Sequence, residues 1–130
     1  MAKILIPIFL ISILSISTIA CSPCENEVLE EIPSPNGTLR AIVFQRECGA
    51  TVESNRQVSL LPQAQRLSNA GGNVLILDSD HGRGSLDTEV TWTDNDHLLI
   101  RYDPRARVFD SNASVHGVEV TYDEHGSHGS

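Results

Sequence analysis

Lysine is almost missing from this chain: Lys3 is the only one among 130 residues. A mechanism built on a lysine amine beyond that point, a Schiff base for example, is therefore excluded. Positive charge rests on eight arginines facing 17 acidic residues, and the formal net charge is −8. Phosphate backbones and anionic membrane surfaces reward basic patches, so charge-driven binding to nucleic acid is not expected. A basic partner stays compatible with this surface, although acidic surfaces also serve plain solubility. Three further absences narrow the chemistry. No Gly-x-Ser-x-Gly elbow, no zinc-type Cys and His spacing and no domain-sized repeat occurs anywhere in the chain.

What is present begins with residues 1–21. Lys3 is the single charge, residues 4–19 are Ile, Leu, Phe and small hydroxyl residues around Pro7, and Ala20-Cys21 follows. A basic start, a short apolar middle and a small-residue exit form a secretory signal, and the apolar run is short for a spanning helix. Two cuts are possible between Ala20 and Cys21. An ordinary signal peptidase accepts small residues such as Thr18 and Ala20, whereas the ending also resembles the lipobox of bacterial lipoproteins, with Thr18 where Leu is usual. In that case Cys21 carries lipid and becomes the new N-terminus.

The three cysteines, Cys21, Cys24 and Cys48, separate these options, because an odd count in an exported protein leaves one thiol to explain. Lipid on Cys21 leaves Cys24 and Cys48 as one disulfide in an oxidising compartment. Pairing Cys21 with Cys24 instead would constrain little and strand Cys48. The expected localisation is thus the cell envelope, membrane-anchored and facing the periplasm or exterior, with a soluble secreted or periplasmic protein as the alternative.

Removing 20 of the 130 residues leaves 110, enough for one domain, with eight arginines less 17 acids giving −9. The expected organisation is a signal peptide over 1–20, a tether over 21–26, a β domain over 27–122 and a disordered tail over 123–130. Val28, Leu29 and Ile32 mark a short first strand, and Ser34-Pro35-Asn36-Gly37 reverses the chain. Residues 38–46 are apolar on both faces, which predicts an inner strand. Further strands are expected over 56–61, 74–77, 89–93, 97–102, 106–110 and 118–122, with loops at 63–70 and 78–87 and a turn at Asp94-Asn95-Asp96. Short strands at turn-punctuated spacing, with no convincing helix, predict a mainly β domain: one small antiparallel sandwich or barrel of about seven strands.

Several segments together resemble a family of small bacterial exported proteins. They are Ser34-Pro35-Asn36-Gly37, Arg40-Ala41-Ile42-Val43-Phe44, Cys48-Gly49-Ala50-Thr51, Gln57-Val58-Ser59-Leu60, Arg101-Tyr102-Asp103 and Ala106-Arg107-Val108-Phe109. The resemblance spans most of the chain after residue 21, with Val52-Glu53-Ser54-Asn55 as a departure. It implies bacterial origin and export, and brings no assigned activity or catalytic residue.

Two loops echo each other, Asp78-Ser79-Asp80-His81 and Asp94-Asn95-Asp96-His97, and offer hard ligands for a divalent ion. Asp78, Asp80 and Glu89 fall at positions 1, 3 and 12 of a calcium loop, yet Gly82 and Arg83 stand where a ligand and a glycine are needed. Asp and Asn also occupy turns simply because their side chains bond the local backbone. Ser79 or Ser85 with His81 and Asp80 or Asp87 can be written as a hydrolytic set, and Gly82-Arg83-Gly84 as a phosphate cradle without a following helix. His125 and His128 belong to the tail. The favoured expectation is a non-enzymatic envelope module without cofactor, anchored through Cys21 and docking a protein partner by a sheet edge or its acidic loops. The alternative is a divalent-metal module or small metal-dependent hydrolase using the Asp and His loops.

Overall fold

A computed structural model describes residues 24–49 and 53–124, together with Lys3. The expected signal peptide, the lipid-bearing Cys21, Ala50-Thr51-Val52 and residues 125–130 lie outside the described residues.

Among the described residues, nine strands form two facing sheets. In chain order they are β1 (Glu25–Pro33), β2 (Leu39–Glu47), β3 (Asn55–Pro62), β4 (Leu75–Asp78), β5 (Thr88–Asp94), β6 (His97–Tyr102), β7 (Arg107–Ser111), β8 (Ser114–Val115) and β9 (Val118–Asp123). One sheet has the order β1-β2-β3-β4-β7 and the other β5-β6-β9-β8, so the fold is a sandwich and not a closed barrel. The described residues contain no helix, and hence none long and apolar enough to cross a membrane.

Alternating side chains build the interior. Ala41, Val43, Val58, Leu60, Leu75 and Leu77 from the five-stranded sheet meet Val90, Leu98, Ile100, Tyr102, Val118 and Val120 from the other. Period-two burial of this kind is what lets each sheet hide one face. Tyr122 closes one margin of this core, its hydroxyl donating to the carbonyls of Val74 (3.0 Å) and Asn112 (2.7 Å).

The expected inner strand is confirmed: β2 lies between β1 and β3. Its second apolar face has its own cover. Ile42 and Phe44, both fully buried, form a smaller cluster with Leu61, against which Leu67 packs. The segment 63–71 crosses the outside of the sheet as a strap. The Arg40 guanidinium donates to the carbonyls of Gln63 and Gln65, and Asn26 Nδ2 donates to those of Ser68 (3.1 Å) and Ala70 (2.8 Å). Gly72 ends the strap where a side chain has no room, since a Cβ there would lie 2.7 Å from the Val58 carbonyl oxygen.

The β1–β2 hairpin turns as expected. The Gly37 N–H donates to Ser34 O at 2.9 Å, and Gly37 has φ of 71°. At its open end Glu25 faces Glu47, and one step further Cys24 is disulfide-bonded to Cys48. The bridge therefore staples the hairpin.

Several details differ from the sequence expectation. The first strand is long, because Glu25 and Asn26, assigned to the tether, pair with Glu47 and Arg46 beside the bridge. β9 runs to Asp123 and Glu124 accepts a hydrogen bond from the Tyr102 hydroxyl, so the domain extends past residue 122. A two-residue strand, β8, precedes β9. Finally, β6 and β9 are parallel, with His97 beside Glu119 and Arg101 beside Asp123. Parallel neighbours need a crossover, and here β7 makes the return trip within the opposite sheet.

Candidate functional site

The strap covers only part of the outer face of the five-stranded sheet. Beyond it, towards β7, a groove of about 320 Å³ remains open. β3 and β4 supply its floor with Asn55, Gln57, Ile76 and Asp78; Arg46 of β2 and Cys48 just after that strand flank it on one side, and Arg107 and Phe109 of β7 on the other. Glu53 completes the lining at the bridge end.

A polar floor in mid-sheet is unusual, since burying polar groups costs free energy unless every one is hydrogen-bonded. Here they are. Asn55 Oδ1 accepts from the Arg46 N–H (3.0 Å) and from Gln57 Nε2 (3.1 Å), while Asn55 Nδ2 donates to Arg46 O. Gln57 Oε1 accepts from the Gly72 N–H at 2.8 Å. Asn55, Gln57 and Asp78 retain only 8%, 5% and 5% exposure.

Asp78 anchors the far wall. Arg107 donates to it through Nε (3.2 Å) and Nη2 (2.5 Å), and the Asp80 N–H adds a third bond at 2.8 Å. Burial alone pushes the Asp78 carboxyl up, but the Arg107 and Asp80 hydrogen bonds outweigh it and hold the group below the ordinary carboxylate value. The same guanidinium lies over the Phe109 ring, 4.8 Å from its centroid. Phe109 itself is 60% exposed, the most exposed large apolar side chain among the described residues.

The sequence candidates fall elsewhere in relation to one another. The Asp78 and Asp94 loops sit at opposite ends of the sandwich. Asp78 pairs with Asn55 near the bridge, whereas Asn95 at the β5–β6 turn accepts a hydrogen bond from the Asn36 N–H at the other end. Seven residues of β5 separate the two ends, about 20 Å at strand rise. The loops thus form no joint site, and among the described residues no group of three or more His, Cys, Asp or Glu is placed to hold a metal. Asp78, expected in an exposed loop, is instead a buried strand residue.

Each loop has its own use for its acids. His97 Nδ1 lies 2.8 Å from Asp94 Oδ1 and its Nε2 3.3 Å from Glu119, while the Asp96 N–H donates to Asp94. The Asp94 hydrogen bond and charge raise the imidazole above its ordinary value, and the His97 and Asp96 bonds lower Asp94. His81 Nδ1 is 2.7 Å from Glu53, and the Ser79 hydroxyl accepts the Gly82 N–H. The serine and histidine written as a hydrolytic set are therefore engaged with other groups. In Gly82-Arg83-Gly84, Gly84 is packed against the Ala106 backbone, where a Cβ would lie 2.5 Å from the Ala106 nitrogen.

The groove residues Asn55, Gln57, Arg107 and Phe109 were not singled out from the sequence as a site. A trace of them is legible: Asn55, Gln57 and Ser59 make a polar stripe on a strand whose alternate positions are Arg56, Val58 and Leu60, and Arg107 and Phe109 share the i, i+2 spacing of one strand face. No protein-family model, curated protein or solved structure matches this chain.

Proposed function

We propose that this chain is an exported, non-enzymatic binding module of the bacterial cell envelope, held to the membrane through lipid on Cys21 once residues 1–20 are removed. The observation that carries the binding role is the groove, in which a hydrogen-bonded polar floor adjoins an aromatic ring left in water. Concave surfaces with a few fixed polar groups and an apolar wall are the usual form of a ligand site. The Cys24–Cys48 bridge supports an oxidising compartment. The basic, apolar and small-residue order of residues 1–21 supports export, as does the resemblance to small exported bacterial proteins.

Mass measurement and fractionation of the full chain expressed in a bacterial host test the tether. The expected product lacks residues 1–20, bears acyl mass on Cys21, holds one disulfide and sediments with membranes; Cys21→Ala moves it to the soluble fraction. An intact Met1, or a reduced thiol at Cys48, overturns the envelope assignment. Clean removal of residues 1–20 without acyl mass overturns the anchor and leaves a soluble exported protein.

A further inference from the structure

The ring of Phe109 is exposed, yet it has a charged neighbour stacked on it. An exposed aromatic side chain on an edge strand is ordinarily free to move, but this one rests on a guanidinium that Asp78 grips through two hydrogen bonds, and Asp78 is nearly buried. An exposed apolar ring, stacked on Arg107, thus borders a floor of planar amide and carboxylate groups.

We infer that the groove binds an uncharged pyranose unit of a glycan, its apolar C–H face laid on Phe109 and its hydroxyls bonded by the polar side chains beside it. This deepens, and rests on, the binding-module reading above. Each competing ligand class meets a mismatch. A purely apolar or lipid ligand would strip water from the part-exposed Glu53 and Arg107 and return no hydrogen bond. An anion would face Asp78 and Glu53, and a cation would face Arg46 and Arg107. The cation site on the ring is in any case taken by Arg107. Two basic and two acidic groups leave the lining formally neutral, and a neutral sugar is amphipathic in the same pattern: one apolar face and a rim of donors and acceptors. Planar side chains suit adjacent hydroxyls, and among the described residues Gln57 Nε2 gives one of its two N–H groups to Asn55. A groove of about 320 Å³ is at the small end of ligand sites, suited to one or two sugar rings of a chain passing over it.

Saturation-transfer NMR with the full chain in detergent micelles tests this, using tetrasaccharides of N-acetylglucosamine, β-1,4-glucose and α-1,4-glucose as neutral probes. Oligogalacturonate and glucosamine oligomers are the charged probes. At least one neutral probe should bind with Kd near 1 mM or below, as fits a shallow, wet site (about −4 kcal/mol at 1 mM). Phe109→Ala should weaken it tenfold or more with an unchanged melting temperature, and Phe109→Trp should retain it. No neutral binding at 20-fold the expected Kd, equal binding by Phe109→Ala, or tighter binding of a charged probe overturns the inference. Its failure is distinct from that of the envelope reading: a lipidated, exported protein that ignores all neutral probes sinks only this proposal, whereas a sugar-binding protein with an intact Met1 sinks only the tether.

Discussion

Breaking the Cys24–Cys48 bridge is the perturbation whose cost the structure best defines. The two cysteines are separated by 24 positions, and everything between them is the β1–β2 hairpin and its flanks. On the chain-entropy model, opening a loop of about 25 residues costs about 3.5 kcal/mol at 25 °C. β1 has little else to hold it at this end. Val28 and Leu29 are close to half exposed, the ladder shifts register between Val28 and Glu30, and the Asn26 side chain supplies the nearby bonds to the strap. Against a typical domain stability of about 5–15 kcal/mol, the loss is large. Urea unfolding of Cys24→Ala/Cys48→Ala should show a midpoint lower by about 2.3–3.5 M, taking a slope of about 1–1.5 kcal/mol/M for a domain of this size. Amide exchange should accelerate first at residues 25–28, because that half of β1 then hangs on its ladder and the Asn26 side chain. A double variant with a midpoint within about 0.5 M of the parent would refute the view that the bridge closes an otherwise open hairpin.

Three further outcomes follow from local geometry. Gly72→Ala forces a Cβ to 2.7 Å from Val58 O and 2.9 Å from Leu75 O, and should destabilise the domain by about 1–3 kcal/mol in a thermal melt. Trp92→Phe removes the indole N–H that donates to Ile32 O at 2.9 Å, joining the second sheet to the edge of the first, and should cost about 1 kcal/mol in urea unfolding. The His97 and Asp94 pair should make stability depend on pH in a defined window. The raised His97 contributes fully below its unfolded value near 6.5 and loses the contribution as pH climbs through its folded value. The lowered Asp94 contributes above its unfolded value near 3.8 and loses it as pH falls. Between about pH 4 and 6.5 both are present, so His97→Asn should flatten the melting temperature profile above pH 6. An unaltered profile in that variant would count against the pairing.

Legibility in the sequence followed the range of the interaction. Val90 with Trp92, then Leu98, Ile100 and Tyr102, and Val118 with Val120, alternate because one sheet face is buried, so β5, β6 and β9 could be placed to within one residue at each end. The two-faced apolar pattern of β2 correctly marked an inner strand, though the strap that fills its outer side left only Leu67 as a clue. The bridge was readable from cysteine count, and its position fits the hairpin, since Cys24 and Cys48 stand equally far from Asn36 in the turn. The parallel contact of β6 with β9 leaves no local trace, because it depends on β7 joining the other sheet. The groove was hidden for the same reason. Its floor and wall come from three strands over 55–57, 76–78 and 107–109, which become neighbours only through the register of β3 with β4 and of β4 with β7.

The groove also separates structural from functional demand on the same sheet face, and that separation can be measured. Gln57 Oε1 takes the Gly72 N–H, and Asn55 takes the Arg46 N–H and carbonyl beyond the last paired residues of β2 and β3, so these amides hold backbone groups that would otherwise be buried unsatisfied. Gln57→Leu should therefore destabilise the domain by about 1–3 kcal/mol, the usual cost of an orphaned buried donor, even though Leu is the more apolar residue. Phe109 satisfies no backbone group, and more than half of it faces water. Truncating it to Ser should change stability by less than about 0.5 kcal/mol, as for other surface positions. Were Phe109→Ser to cost more than about 1 kcal/mol, the ring would be a packing element of β7, and its exposure would no longer point to a ligand. If instead Gln57→Leu is costly and Phe109→Ser is neutral, the floor is explained by folding and the ring is not, which is the outcome the proposed binding role requires.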